Sequence, residues 1–221
     1  MKKIHYKNLG LPKTGTTWLW VQLMQHPDID CKLPVSHKEY RHPSLEKYKM
    51  LYEKYDVSIN LDTHMFLKGS TDMHYSASQL HEYTTHISMS FRNPYEVLNS
   101  LHNMEKRRNP NYKKPSSDYA NLDLGKGLVD MESAFTAWKD CRLPMKFFFY
   151  DDLVADAKTY VEEICDFLGI RKFYDPRITP VFKTPITDPI VFDNKQVIDY
   201  INKQIEVTEQ VTQRDLSHWK K

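Results

Sequence analysis

Apolar and polar positions along this chain alternate between two rhythms. Ile4 to Leu9 is a short, partly apolar run that predicts a strand over residues 3–9. Residues 16–26 predict a helix, amphipathic from Trp18 on and stopped at His26-Pro27. A short strand is expected near Cys31. Leu45, Tyr48, Leu51 and Tyr52 then fall at helical spacing behind Pro43, which predicts a helix running to about Tyr55. Phe66 to Gly69 reads as a strand, Ala77 to Tyr83 as a short helix, and His86 to Phe91 as a strand. Asn93 as N-cap and Pro94 at the first helical position open a helix to about Lys106. Residues 107–121, basic and poor in apolar side chains, predict a loop. A helix over 124–139, a strand over Met145 to Tyr150 and a helix from Ala157 to Leu168 follow, the last closed by Gly169. Residues 170–193 hold four prolines and read as irregular; a terminal helix is expected from Asn194 to about Trp219. Strands alternating with helices imply an α/β fold: three layers, with a central, mainly parallel sheet flanked by helices.

Composition narrows this picture only a little. The 221 residues suit a single domain spanning 1–221, with 40% hydrophobic and 27% charged residues and a net charge of +2. That balance gives no argument for a nucleic-acid partner or a membrane surface. No run approaches the roughly 18 apolar residues of a membrane span, and the N-terminus lacks the apolar stretch of a signal peptide. A cytoplasmic protein is expected, in which Cys31, Cys141 and Cys165 stay reduced. The cysteines form no ligand spacing and the ten histidines show no i,i+4 pairing, so no metal is expected.

The candidate chemistry lies at two strand-to-helix junctions. Gly10-Leu11-Pro12-Lys13-Thr14-Gly15-Thr16-Thr17 joins the first strand to the first helix, the layout of a phosphate cradle, where backbone N–H groups and the helix dipole favour an anion. Against the pattern G-x-x-x-x-G-K-[ST], Gly10, Gly15 and Thr17 fit, but Thr16 stands where nucleotide-cleaving enzymes carry lysine. A lysine occurs at position 13 instead, suited to one 5′-phosphate and the group bonded to it. The second junction is Arg92-Asn93-Pro94-Tyr95-Glu96-Val97-Leu98-Asn99-Ser100. There an arginine at a strand end and a hydroxyl two helical turns on could grip one phosphate from two sides.

P-K-T-G-T-T-W-L resembles the 5′-phosphosulfate loop of the sulfotransferases that use 3′-phosphoadenosine 5′-phosphosulfate (PAPS). R-N-P-x-E-x-x-x-S resembles their 3′-phosphate motif. The segment Phe148-Phe149-Tyr150-Asp151-Asp152-Leu153-Val154-Ala155-Asp156, continuing to Phe167-Leu168-Gly169, is similar to a structural segment of the same family. Together the three cover roughly residues 4–170. The resemblance implies a P-loop-like fold and sulfuryl transfer from PAPS, without a metal, to a hydroxyl or amine of a carbohydrate or small-alcohol acceptor. It implies that Lys13, Thr14, Gly15, Thr16 and Thr17 hold the 5′-phosphosulfate, and that Arg92 and Ser100 hold the 3′-phosphate. His37-Lys38-Glu39 resembles the K-E segment of the glycan-type branch, whose glutamate is the general base. This makes Glu39 and Lys13 the expected catalytic residues and places the chain nearer that branch. Lys68-Gly69-Ser70 stands where the small-molecule branch has K-T-H, with Asp72 and His74 nearby as substitute bases. Adenine contacts are expected within 171–187, through Arg177 or Lys183, and a lid over an anionic acceptor is one reading of 107–121.

Two rival classes stay open from the residues. A P-loop kinase would use Asp151 or Asp152 as a Mg²⁺ ligand, and a non-catalytic nucleotide-binding protein could keep the fold alone. The sequence leaves the oligomeric state open.

Overall fold

A computed structural model describes residues 3–29, 45–62, 82–109, 111–123, 126–178 and 186–221. The expected strand near Cys31, the expected strand Phe66 to Gly69 and residues 77–81 of the expected short helix lie outside these ranges. In chain order the described elements are β1 (Ile4–Gly10), α1 (Thr16–Leu23), α2 (Leu45–Lys54), β2 (Val57–Asp62), β3 (His86–Phe91), α3 (Pro94–Arg108) and α4 (Ser116–Ala120). They continue with α5 (Met131–Trp138), β4 (Met145–Phe149), α6 (Tyr150–Ala155), α7 (Ala157–Leu168) and α8 (Lys195–Thr212). The strands form one parallel sheet in the order β2-β1-β3-β4.

Parallel strands need crossovers and are covered on both faces, which is why β1 is buried along its whole length. Period-two alternation sorts the side chains. Leu9, Ile87, Met89, Phe91 and Phe149 pack with α3, α4, α5 and α8 on one face. Ile4, Tyr6 and Phe148 pack with α1, α6 and α7 on the other. The expected three layers are therefore present. The second face also carries a buried polar ladder that pins β1 against β3. Tyr6 Oη lies 2.6 Å from Ser88 Oγ, and Asn8 Nδ2 donates to Ser88 Oγ and Ser90 Oγ at 2.7 Å each. A one-residue slip would break all three bonds and turn the apolar set outward.

Several expected elements change. β2 was not expected, although Val57, Ile59 and Leu61 alternate with polar residues; it follows α2 so closely that the helical pattern masked it. Within the loop expected over 107–121, the chain is helical through Arg108 and again over Ser116–Ala120. Tyr150 starts α6 rather than ending β4. Of the helix expected over 124–139, the described part is a 3₁₀ turn at Lys126–Leu128 and then α5, separated by Val129 and the N-cap Asp130, whose side chain accepts from Ser133 N–H. The terminal helix stops at Thr212, where Gln213 takes a left-handed conformation (φ 56°), and a 3₁₀ turn over Ser217–Trp219 follows. α7 and its Gly169 stop (φ 67°) fall where the sequence puts them.

Candidate functional site

Both junctions lie at the carboxyl edge of the sheet, because β1 and β3 are parallel neighbours that end side by side (Gly10 opposite Ser90). The chain leaves β1 through Leu11, whose N–H donates to the Ser90 carbonyl at 3.0 Å. It turns through Lys13 in a left-handed conformation (φ 68°) and enters α1 at Gly15 (φ 81°). Neither glycine is replaceable without a shift. A Cβ at Gly10 would lie 2.5 Å from the Ser90 carbonyl oxygen, and one at Gly15 would meet Leu153 Cδ2 at 2.5 Å as well as straining the backbone. The Thr14 hydroxyl is buried and donates to the Leu11 carbonyl at 2.9 Å, so it shapes the loop. Thr16 is half-buried and Thr17 exposed at the opening of α1, whose first turn has no acidic residue and whose first N–H groups lack intrahelical partners.

Arg92 ties the second junction to the first. Its Nη1 donates to the Lys13 carbonyl at 2.9 Å, its Nε and Nη2 each reach Glu96 Oε2 at 3.0 Å, and its guanidinium carbon sits 4.2 Å above the Tyr150 ring. Asn93 caps α3 by accepting from Tyr95 N–H at 3.0 Å. Along α3, Glu96, Ser100 and Met104 fall on one i,i+4 row. Lys13 runs beside that row, with its Nζ 3.5 Å from Met104 Sδ, and Ser100, buried, lies midway. Burial pulls the Lys13 pKa below the usual lysine value, and the nearby Arg108, Arg92 and Arg107 push it the same way. Four cations thus gather here against the Glu96 carboxylate. An anion bound between Lys13 and Arg92 would relieve the repulsion between those two, so they fit the phosphate groups of a nucleotide phosphorylated at both ends.

The third junction, after β4, is already filled. Trp219 Nε1 donates to Asp151 Oδ2 at 2.8 Å and His218 Nε2 lies 3.0 Å from the same oxygen. Arg214 Nη2 donates to Asp152 Oδ1 at 2.7 Å while its guanidinium stacks on Phe149 at 4.1 Å. The two aspartates a kinase would have used are therefore clasped by the chain's own C-terminal segment. Arg177, an expected adenine contact, is turned onto Asp175 through a bidentate pair at 2.8 and 2.6 Å. Lys183, the other, lies outside the described residues, as do Glu39, Lys68, Asp72 and His74. Sequence reasoning passed over Glu96, Tyr150 and Met104 as site residues. The i,i+4 spacing of Arg92 and Glu96 was the available signal for the first, while the other two need the fold.

The family model for the sulfotransferase domain matches residues 9–219. The chain belongs to that family, and it is a PAPS-dependent sulfotransferase. None of the curated protein sequences matches it. Among solved structures, the fold is similar to a sulfotransferase from Alicyclobacillus acidocaldarius (TM-score 0.70, 15% identity, 99% of each chain covered). It is also similar to mouse sulfotransferase SULT7A1 complexed with PAP (TM-score 0.55, 18% identity, 95% of this chain and 83% of that one). A third is retinol dehydratase in complex with androsterone and the inactive cofactor PAP (TM-score 0.51, 14% identity, 97% and 83%). The leaning toward the glycan-type branch is overturned: the solved structures it resembles are of the small-molecule, cytosolic type. The tripeptide His37-Lys38-Glu39 that suggested otherwise is a short charged pattern outside the described residues. No helix among the described residues is long and apolar enough to cross a membrane.

Proposed function

We propose that the enzyme moves the sulfuryl group of PAPS to a hydroxyl of a small molecule, using the two joined junctions as its donor site. In this reading, Lys13 and the N–H groups from Thr14 to Thr17 hold the 5′-phosphosulfate, and Arg92 and Ser100 hold the 3′-phosphate. The observation that carries it is the hydrogen bond from Arg92 to the Lys13 carbonyl, which ties the second junction to the first. To take a phosphate, Arg92 exchanges the Glu96 carboxylate, which is half exposed and easily rehydrated.

The acceptor oxygen attacks sulfur in line, the bond from sulfur to the bridging oxygen breaks, and adenosine 3′,5′-bisphosphate leaves with that electron pair. Negative charge grows on the bridging oxygen, where an ammonium and helix N–H groups held in place beforehand stabilise it more than they stabilise the ground state. The acceptor proton passes to a base, for which Glu39, Asp72 and His74 are the candidates. Calorimetric titration tests the donor site: adenosine 3′,5′-bisphosphate should bind without added metal, and ATP with Mg²⁺ at least about tenfold more weakly. The reverse order would return the chain to the kinase reading. Single-turnover assays of Glu39→Gln, Asp72→Asn and His74→Gln should find one variant that binds the bisphosphate but transfers about 10²–10⁴ times more slowly. Full rates in all three would remove the whole set.

A further inference from the structure

The row of side chains along α3 continues past the donor site. Glu96 holds Arg92, Ser100 follows one turn on and Met104 meets the Lys13 ammonium. Arg107 and Arg108 stand one turn further, at about 1.5 Å of rise per residue. Lys106, on the other side of that turn, is paired with Asp188 at 2.8 Å. Arg107 and Arg108 are exposed and form no ion pair among the described residues. A basic last turn ordinarily answers the helix dipole and touches nothing else. Here the turn borders the reacting end of the donor, because the Lys13 ammonium marks where the sulfuryl group sits and the nucleotide extends back toward Arg92. What lies past Lys13 on this row is the side from which an acceptor must come. Two guanidiniums there carry positive charge that no carboxylate among the described residues answers.

We propose that Arg107 and Arg108 recognise the acceptor, selecting hydroxylated small molecules that also carry an anionic group, a carboxylate or a phosphate. This rests on the donor reading above and names the substrate class for the same site. The pairing gives a bidentate grip on the anion and sets the distance from it to the attacking hydroxyl.

Matched acceptor pairs provide the test, in which only the charge changes: 4-hydroxyphenylacetate against 4-hydroxyphenylacetamide, and glycerol 3-phosphate against glycerol. Each is assayed for transfer with PAPS and for binding to the complex with adenosine 3′,5′-bisphosphate. The anionic member of at least one pair should be preferred about tenfold in kcat/KM or affinity, and which pair responds separates carboxylate from phosphate. In Arg107→Gln/Arg108→Gln the preference should fall toward one, with the loss on the anionic member and bisphosphate affinity within about threefold. Arg108→Glu should reverse it in favour of tyramine over its N-acetyl form. A wild-type enzyme that treats both members of every pair alike, whether it uses both or neither, overturns the proposal. So does a double variant that keeps the preference. Failure to bind adenosine 3′,5′-bisphosphate at all would count instead against the donor site.

Discussion

The junctions after β3 and β4 lie on adjacent strands and each lead into a helix, yet they are finished in opposite ways. After β3 the chain places Arg92, supported by the Tyr150 ring and held by an exchangeable carboxylate. After β4 it places Asp151 and Asp152 and closes over them with Arg214, His218 and Trp219 from the C-terminal segment. A parallel sheet offers a binding edge at every strand end, but only the ends whose polar groups are left exchangeable can take a ligand. The clasp after β4 answers its own charges and so helps to hold the edge while its neighbours stay open.

That contrast can be broken most sharply at Arg92. Arg92→Ala removes a mostly buried cation that also braces the Lys13 loop, and calorimetry should show adenosine 3′,5′-bisphosphate binding about 100-fold weaker or worse. Retention of near-normal affinity would move the 3′-phosphate elsewhere. A smaller effect is expected from pH at Lys13. Its pKa lies below the usual lysine value and a bound anion favours the charged form. Donor affinity should therefore hold at low pH and fall as pH rises through that lowered pKa. Lys13→Arg should abolish the fall, since guanidinium stays charged, and a persisting fall would assign it to another group. Arg214→Ala should show the smallest change. Its pair with Asp152 is substantially solvent-exposed, so denaturant unfolding should register a loss of about 1 kcal/mol or less, with bisphosphate affinity within threefold. A large drop in affinity there would erase the distinction between the two junctions.

Local signals in the sequence carried most of the frame. β1, β3, α3 and α7 each have a matching periodicity and a defined start or stop, such as the Asn93 cap or Gly169. What local pattern could not supply was the meaning of residues whose role depends on a distant neighbour. Arg107 and Arg108 read as loop because Asn109-Pro110 ends the apolar pattern soon after them, and their place beside Lys13 exists only once α3 packs along the loop. The clasp on Asp151 and Asp152 was equally hidden, since its partners lie more than sixty residues away. The two motifs proposed to hold the donor could be read because the loop after β1 and the arginine junction are each contiguous in sequence. The acceptor side could not, because the candidate bases at 39, 72 and 74 are spread across stretches with weak periodicity.

The central place of β1 has a consequence for how activity arises during folding. Tyr6 pairs with His86, Leu11 donates to Ser90, and Lys13 receives its brace from Arg92, so the loop's shape depends on a strand some eighty residues downstream. Contacts that distant form late and slowly. A nascent or truncated chain ending short of β3 would therefore hold no half-built cradle able to sequester nucleotide, and donor affinity should emerge in a single step when β3 docks.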